Sequence, residues 1–87
     1  MLKVSVPAAA RMAHLLDAKP GNAVLRIIRH KQRLRMRLDR LRPGDQTFAH
    51  NGRVVLALDR RLGTTLALRQ LDIRETDAGP RLRLRSN

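Results

Sequence analysis

Two stretches of this chain place a guanidinium group at every second residue. Arg33, Arg35 and Arg37 alternate with Leu34, Met36 and Leu38, and Arg81, Arg83 and Arg85 alternate with Leu82 and Leu84. On an extended strand alternate side chains share one face, so each stretch projects three cations at intervals of ~6.6–6.8 Å, twice the strand rise. Phosphates along one nucleic-acid strand repeat at a similar distance, and a guanidinium binds phosphate or carboxylate through two parallel hydrogen bonds, which an ammonium cannot do. These six arginines are the candidate anion- or partner-binding residues. The competing account makes both stretches solvated faces, with charge keeping strand edges from aggregating.

Other reactive side chains converge on nothing. His14, His30 and His50 fall on a helix face, a basic hairpin and a turn, and no pair has the spacing that puts two ring nitrogens on one ion. Asp39, Asp45, Asp59, Asp72, Glu75 and Asp77 occupy turns, caps or outward strand positions, each with a structural role as turn former, cap or arginine partner. The five glycines are isolated, so no phosphate loop forms. Without cysteine there is no disulfide, thiolate-held cluster or nucleophilic thiol. The expectation is a non-enzyme with no catalytic residues, no metal ligands and no cofactor.

The 87 residues, 43% of them hydrophobic, suit one domain over 1–87 with a thin core. Lys and Arg number 19 against seven acids, a formal charge of +12, and 16 of the 19 are Arg. Such a balance points to acidic proteins or nucleic acid as partners. Phe48 is the lone aromatic residue, so base stacking has little to work with. The longest apolar run, Val54 to Leu58, is far short of the ~20 residues that span a bilayer, and the first residues lack a leader's apolar stretch. A cytoplasmic protein with no membrane contact is expected.

The elements that must position the arginines can be read from period and punctuation. Ser5 caps a short helix with Pro7 in its first turn and Ala8, Met12, Leu15 and Leu16 on its apolar face, ended by Pro20-Gly21. Val24 to Arg29 reads as a central strand. In the stretch 33–39, Leu34, Met36 and Leu38 should face the core, with Arg33, Arg35, Arg37 and Asp39 in water. Arg42-Pro43-Gly44-Asp45 is a turn, and Asn51-Gly52 closes a hairpin between strands at Gln46–Ala49 and Arg53–Leu58, the second apolar on both faces. Asp59 caps a second short helix near 60–66, weakened by Gly63; Leu71-Asp72-Ile73 and Arg81–Arg85 are strands flanking a turn at Asp77–Pro80. The fold class is α+β, a helix on mostly antiparallel strands.

This order, with Ser5-Val6-Pro7 opening the helix and Pro43-Gly44-Asp45, Phe48, Asn51-Gly52 and Val54–Asp59 in one uninterrupted spacing, resembles the HesB-like family, the A-type iron–sulphur cluster carriers. The resemblance covers nearly the whole chain and implies a HesB-like core of sandwich or barrel form. Carriers of that family hold iron or a cluster with one cysteine in a Gly-rich loop after the first strand that follows the helix, and with a Cys-Gly-Cys past the last strand. Here the first loop is Arg29-His30-Lys31-Gln32, with neither Gly nor Cys, and the 87 residues end at Asn87 before the second motif. Thiolate is what such clusters require.

The expected function is therefore a non-catalytic accessory or protein-binding domain of the iron–sulphur biogenesis type that has lost cluster binding. It docks an acidic partner or pairs with itself. The alternative, from another class, is sequence-independent nucleic-acid or polyanion binding through the arginine faces. Iron held by His and Asp ranks third. Whether the two faces form one patch depends on whether their strands are neighbours.

Overall fold

A computed structural model describes residues 1–86. In chain order the elements are β1 (Lys3–Val4), α1 (Val6–Leu16), β2 (Ala23–His30), β3 (Arg33–Arg40), β4 (Gln46–His50), β5 (Arg53–Leu58), α2 (Arg60–Thr65), β6 (Arg69–Thr76) and β7 (Gly79–Ser86). They form a four-stranded sheet in the order β3-β2-β5-β4 and a three-stranded sheet in the order β1-β6-β7. Sequential neighbours pair antiparallel, while β2–β5 and β1–β6 are parallel. The α+β class holds, with β1 an addition that its two residues gave no period to reveal.

Local chemistry accounts for most of these elements. The Ser5 hydroxyl accepts from the Ala8 N–H at 3.2 Å and donates to Asp72 Oδ1 at 2.8 Å, so one side chain caps α1 and ties it to β6. The buried face of α1 is Ala8, Ala9, Met12 and Leu16. Leu15, expected on it, is 40% exposed, because the buried face is turned toward Ala9 and leaves Leu15 at its margin. Asn51 and Gly52 both have positive φ, as the hairpin requires. The core joins α1 to both sheets, and Val55, Leu56, Ala57 and Leu58 of β5 are fully buried, the expectation for a strand apolar on both faces. Asp59 caps α2 at 2.7 Å to the Leu62 N–H. Gly63, expected only to weaken that helix, is buried against the Gln46 amide, where a Cβ would collide.

Strand β3 departs from expectation. It is the edge of its sheet, and of its apolar residues only Met36 is packed against the core; Leu34 and Leu38 are 38% and 46% exposed. Neither α1 nor the second sheet reaches far enough to cover it. Asp39 does not stand free in water either. It is drawn to Arg26, the buried arginine of β2, which is 3% exposed.

Arg26 is enclosed by acceptors. Its Nη1 and Nη2 donate to the two oxygens of Asp45 at 2.9 and 2.6 Å, its Nε to Asp39 Oδ2 at 2.9 Å, and Nη2 also to the Arg40 carbonyl at 3.0 Å. Asp45 accepts in addition from the Arg42 N–H at 2.8 Å, which folds the Pro43-Gly44 turn, with Gly44 at positive φ, back onto the sheet. A buried charge must be paired this fully to be tolerated. Asp45 is thus more than a turn former, and Asp39 more than an outward partner.

The β2–β3 connection is a two-residue turn, Lys31-Gln32, with both residues at positive φ. Neither residue type favours that region, which costs about 1–2 kcal/mol for a residue with a Cβ. The turn of the same length at Asn51-Gly52 uses the residues that tolerate it. Replacing Lys31-Gln32 by Asn-Gly is expected to stabilise the fold by about 1–2 kcal/mol, read as a higher urea midpoint; an unchanged midpoint would refute the strain.

Arg26 yields a second prediction. Asp45→Asn strips the guanidinium of its bidentate partner and should cost about 3–5 kcal/mol, whereas Arg26→Met with Asp45→Leu should cost less than either single change. The acid limb follows from the same contacts. Arg26 is the main cause holding Asp45 below the usual carboxylate range, and the Arg40 N–H is the main cause for Asp39. A carboxyl depressed in the folded state contributes stability that is complete above its unfolded value of ~3.9 and is lost as pH falls through the folded value. Urea midpoints should stay flat down to about pH 5 and fall below about pH 4, with a shallower fall in Asp45→Asn.

Candidate functional site: arginine strands around an apolar cleft

The two arginine strands lie in different sheets, each at an edge: β3 in the four-stranded sheet and β7 in the three-stranded one. Pairing register decides where their side chains stand. In the first sheet Arg33, Arg35 and Arg37 oppose His30, Ile28 and Arg26, while Leu34, Met36 and Leu38 oppose Arg29, Ile27 and Leu25. In the second, Arg81, Arg83 and Arg85 oppose Arg74, Asp72 and Gln70, while Leu82 and Leu84 oppose Ile73 and Leu71. Paired residues share a face. Each triplet therefore projects from the face opposite the core side of its own sheet, so the structure divides the six arginines into two patches.

The charges of these patches are largely unspent. Arg37 lies 3.6 Å from Asp39 and Arg85 lies 3.3 Å from Asp72. Among the described residues Arg33, Arg35, Arg81 and Arg83 have no ion-pair partner. The carboxyl of Asp72 sits below the usual range, held there first by the Ile73 N–H, then by the Ser5 hydroxyl and the Arg85 guanidinium. Asp72 thereby joins α1, β6 and β7.

Between the two edge strands lies a cleft of about 270 Å³. Its walls include Leu34, Arg35 and Met36 from β3 and Leu82, Arg83 and Leu84 from β7, with Ile27 and Leu71 behind them. The exposed Leu34 that departs from the expected pattern belongs to this wall. Period-2 reading finds the alternation of each strand and misses the cleft, because nothing local says that two distant edges will face each other. A second depression, between the outer face of the first sheet and α2, is bordered by Arg29, Arg37 and Arg61, with Asp59 as its one carboxylate.

Among the described residues no three His, Cys, Asp or Glu side chains are grouped to hold an ion. His30 ends β2 beside the Lys31-Gln32 turn, opposite Arg33. His14 pairs with Asp17 at 3.8 Å on the exposed face of α1, and His50 sits beside Asn51 at the other hairpin. The donors present do not fit an iron–sulphur cluster: the chain has no thiolate to offer, and its imidazoles are dispersed. Among the described residues no helix is long and apolar enough to cross a membrane.

No family model and no curated relative matches this sequence. Solved structures do match its fold. The crystal structure of Escherichia coli SufA, a protein described as involved in biosynthesis of iron–sulphur clusters, superposes over 98% of this chain and 79% of its own, with a TM-score of 0.71 and 16% identity. The crystal structure of IscA with a 2Fe–2S cluster covers 99% of this chain and 85% of its own, with a TM-score of 0.68 and 16% identity. The chain thus has the fold of SufA and IscA, the HesB-like architecture that the order of its turns and strands implied.

Proposed function

We propose that this chain is a non-catalytic protein-binding domain built on the SufA and IscA fold, one that carries no cluster and docks an acidic partner. The observation that carries this reading is a shared fold without thiolates: the fold extends over 98% of the chain, while the 87 residues contain no cysteine. Soft sulphur ligands are what iron–sulphur clusters demand, and three dispersed histidines do not replace them. The charge of +12 and the unpaired arginines at two strand edges supply the attraction for an acidic surface. Nothing in the site pairs a base with a nucleophile, so the reading assigns no reaction.

Polyanion binding remains the second reading, favoured by the two guanidinium ladders themselves. Their division between two sheets counts against a single track for a nucleic-acid backbone. Phe48, half-buried and packed against the core, leaves no aromatic platform on either face.

Capture from native lysate with and without nuclease, using wild type and an Arg33/Arg35/Arg37→Gln bait shown to be folded by circular dichroism, separates the two. A discrete acidic protein that survives nuclease and is lost with the Gln bait is the expected result. Capture that vanishes with nuclease would overturn it in favour of nucleic acid. In that event three phosphate contacts predict a slope of log K on log salt of about −2 for single strands. Iron and sulphide analysis after anaerobic reconstitution should find neither; a stable chromophore would overturn the loss of cluster binding.

A further inference from the structure

We propose that the cleft between β3 and β7 is a strand-addition site that takes an extended, acidic and apolar peptide segment of a partner protein. This inference rests on the docking reading above and names where and how the partner is held.

Three observations carry it. The cleft is bordered by three consecutive residues of each strand, Leu34-Arg35-Met36 and Leu82-Arg83-Leu84. Consecutive residues alternate in side-chain direction, so a wall that includes all three presents the backbone edge as well as the inward side chains. Both strands are sheet edges, whose outward N–H and C=O groups have no strand to pair with. Finally, the cleft's volume of about 270 Å³ falls just below the ~300–1,000 Å³ of pockets that enclose small molecules. It suits one or two apolar side chains of a strand laid along the edge.

Charge selects the occupant. A second copy of this chain offering β3 or β7 would bring Arg33, Arg35 and Arg37, or Arg81, Arg83 and Arg85, against the same cations, in a molecule of charge +12. Like charges on facing strands repel, and the two arginine edges defend the protein against self-addition in the usual way. A strand that alternates apolar and acidic residues meets the opposite situation. Its apolar side chains enter between Leu34, Met36, Leu82 and Leu84, its backbone pairs with one free edge, and its carboxylates reach the arginine of that edge, Arg35 on β3 or Arg83 on β7, neither of which has an ion-pair partner among the described residues.

The test uses three fluorescent ten-residue peptides with blocked ends, alternating Val with Glu, Ser with Glu, and Val with Lys, titrated into the full chain at 150 mM salt. The Val/Glu peptide should bind at least tenfold more tightly than the other two. Amide exchange at 34–36 or at 82–84 should slow in the complex, since a new strand covers one of those edges. Arg35→Glu with Arg83→Glu, both at exposed positions that leave the core intact, should weaken Val/Glu at least tenfold and strengthen Val/Lys. Equal binding of Ser/Glu and Val/Glu would reduce the effect to surface charge and overturn the cleft. So would protection confined to residues outside both edges, no binding of Val/Glu to folded protein, or concentration-dependent self-association that the peptide displaces. An acidic partner captured from lysate that does not compete with the Val/Glu peptide would overturn the cleft and leave the docking reading standing. A peptide held in the cleft, with no acidic protein captured, would overturn the docking reading as stated and leave strand addition intact.

Discussion

A single buried guanidinium sets the terms for half of this molecule. Arg26 lies in the buried stretch of β2 and would be intolerable there without the two carboxylates and one carbonyl that surround it. The bond to Asp39 joins β2 to β3, and the bidentate bonds to Asp45 pin the Pro43-Gly44 turn and so set where β4 begins. Apolar packing does less for β3 than its alternation suggests, because two of its three apolar side chains stay more than a third exposed. The hydrogen bonds of Arg26 are directional, and a one-residue slip of β3 would forfeit Asp39 altogether. Register that burial alone would hold loosely is held by charge.

That arrangement shapes the surface. Once Asp39 is occupied by Arg26 and approached by Arg42 as well as Arg37, the arginines farther along β3 are left without local neutralisation. On the other side of the cleft Asp72 is engaged by Ser5, the Ile73 N–H and Arg85, so Arg81 and Arg83 are left likewise. Asp39, Asp45, Asp59 and Asp72 are spent on holding elements together, and arginines without an ion-pair partner among the described residues stand at two strand edges. A basic surface with an apolar seam is the outcome, and both features bear on what can dock there.

Fold and chemistry are separate questions in this protein. The backbone matches SufA and IscA nearly end to end, yet fold by itself confers no activity; a site does. The β2–β3 turn is two residues long and strained, with no sulphur and no convergence of other donors. The proposed docking role asks only for a stable shell and a distinctive surface.

Much of the architecture was legible because the signals for it are local. Ser5 before Pro7, the Pro43-Gly44-Asp45 turn, Asn51-Gly52, the cap at Asp59 and the period-2 alternations each depend on residues within a few positions of one another, so the linear order determined the helices, most strands and the class of fold. Charge, the lack of thiolate and the two arginine ladders were likewise present in the order of residues alone. What tertiary structure decided involves partners distant along the chain. It set Asp45 against Arg26, put Leu34 and Leu38 at an uncovered edge, added β1 beside β6, made Gly63 the contact surface for Gln46, and placed the two ladders in different sheets around a shared cleft. Side-chain period specifies which residues share a face, but what that face meets depends on how sheets stack. Stacking is settled by the apolar core that α1 and β5 form between the sheets' inner faces.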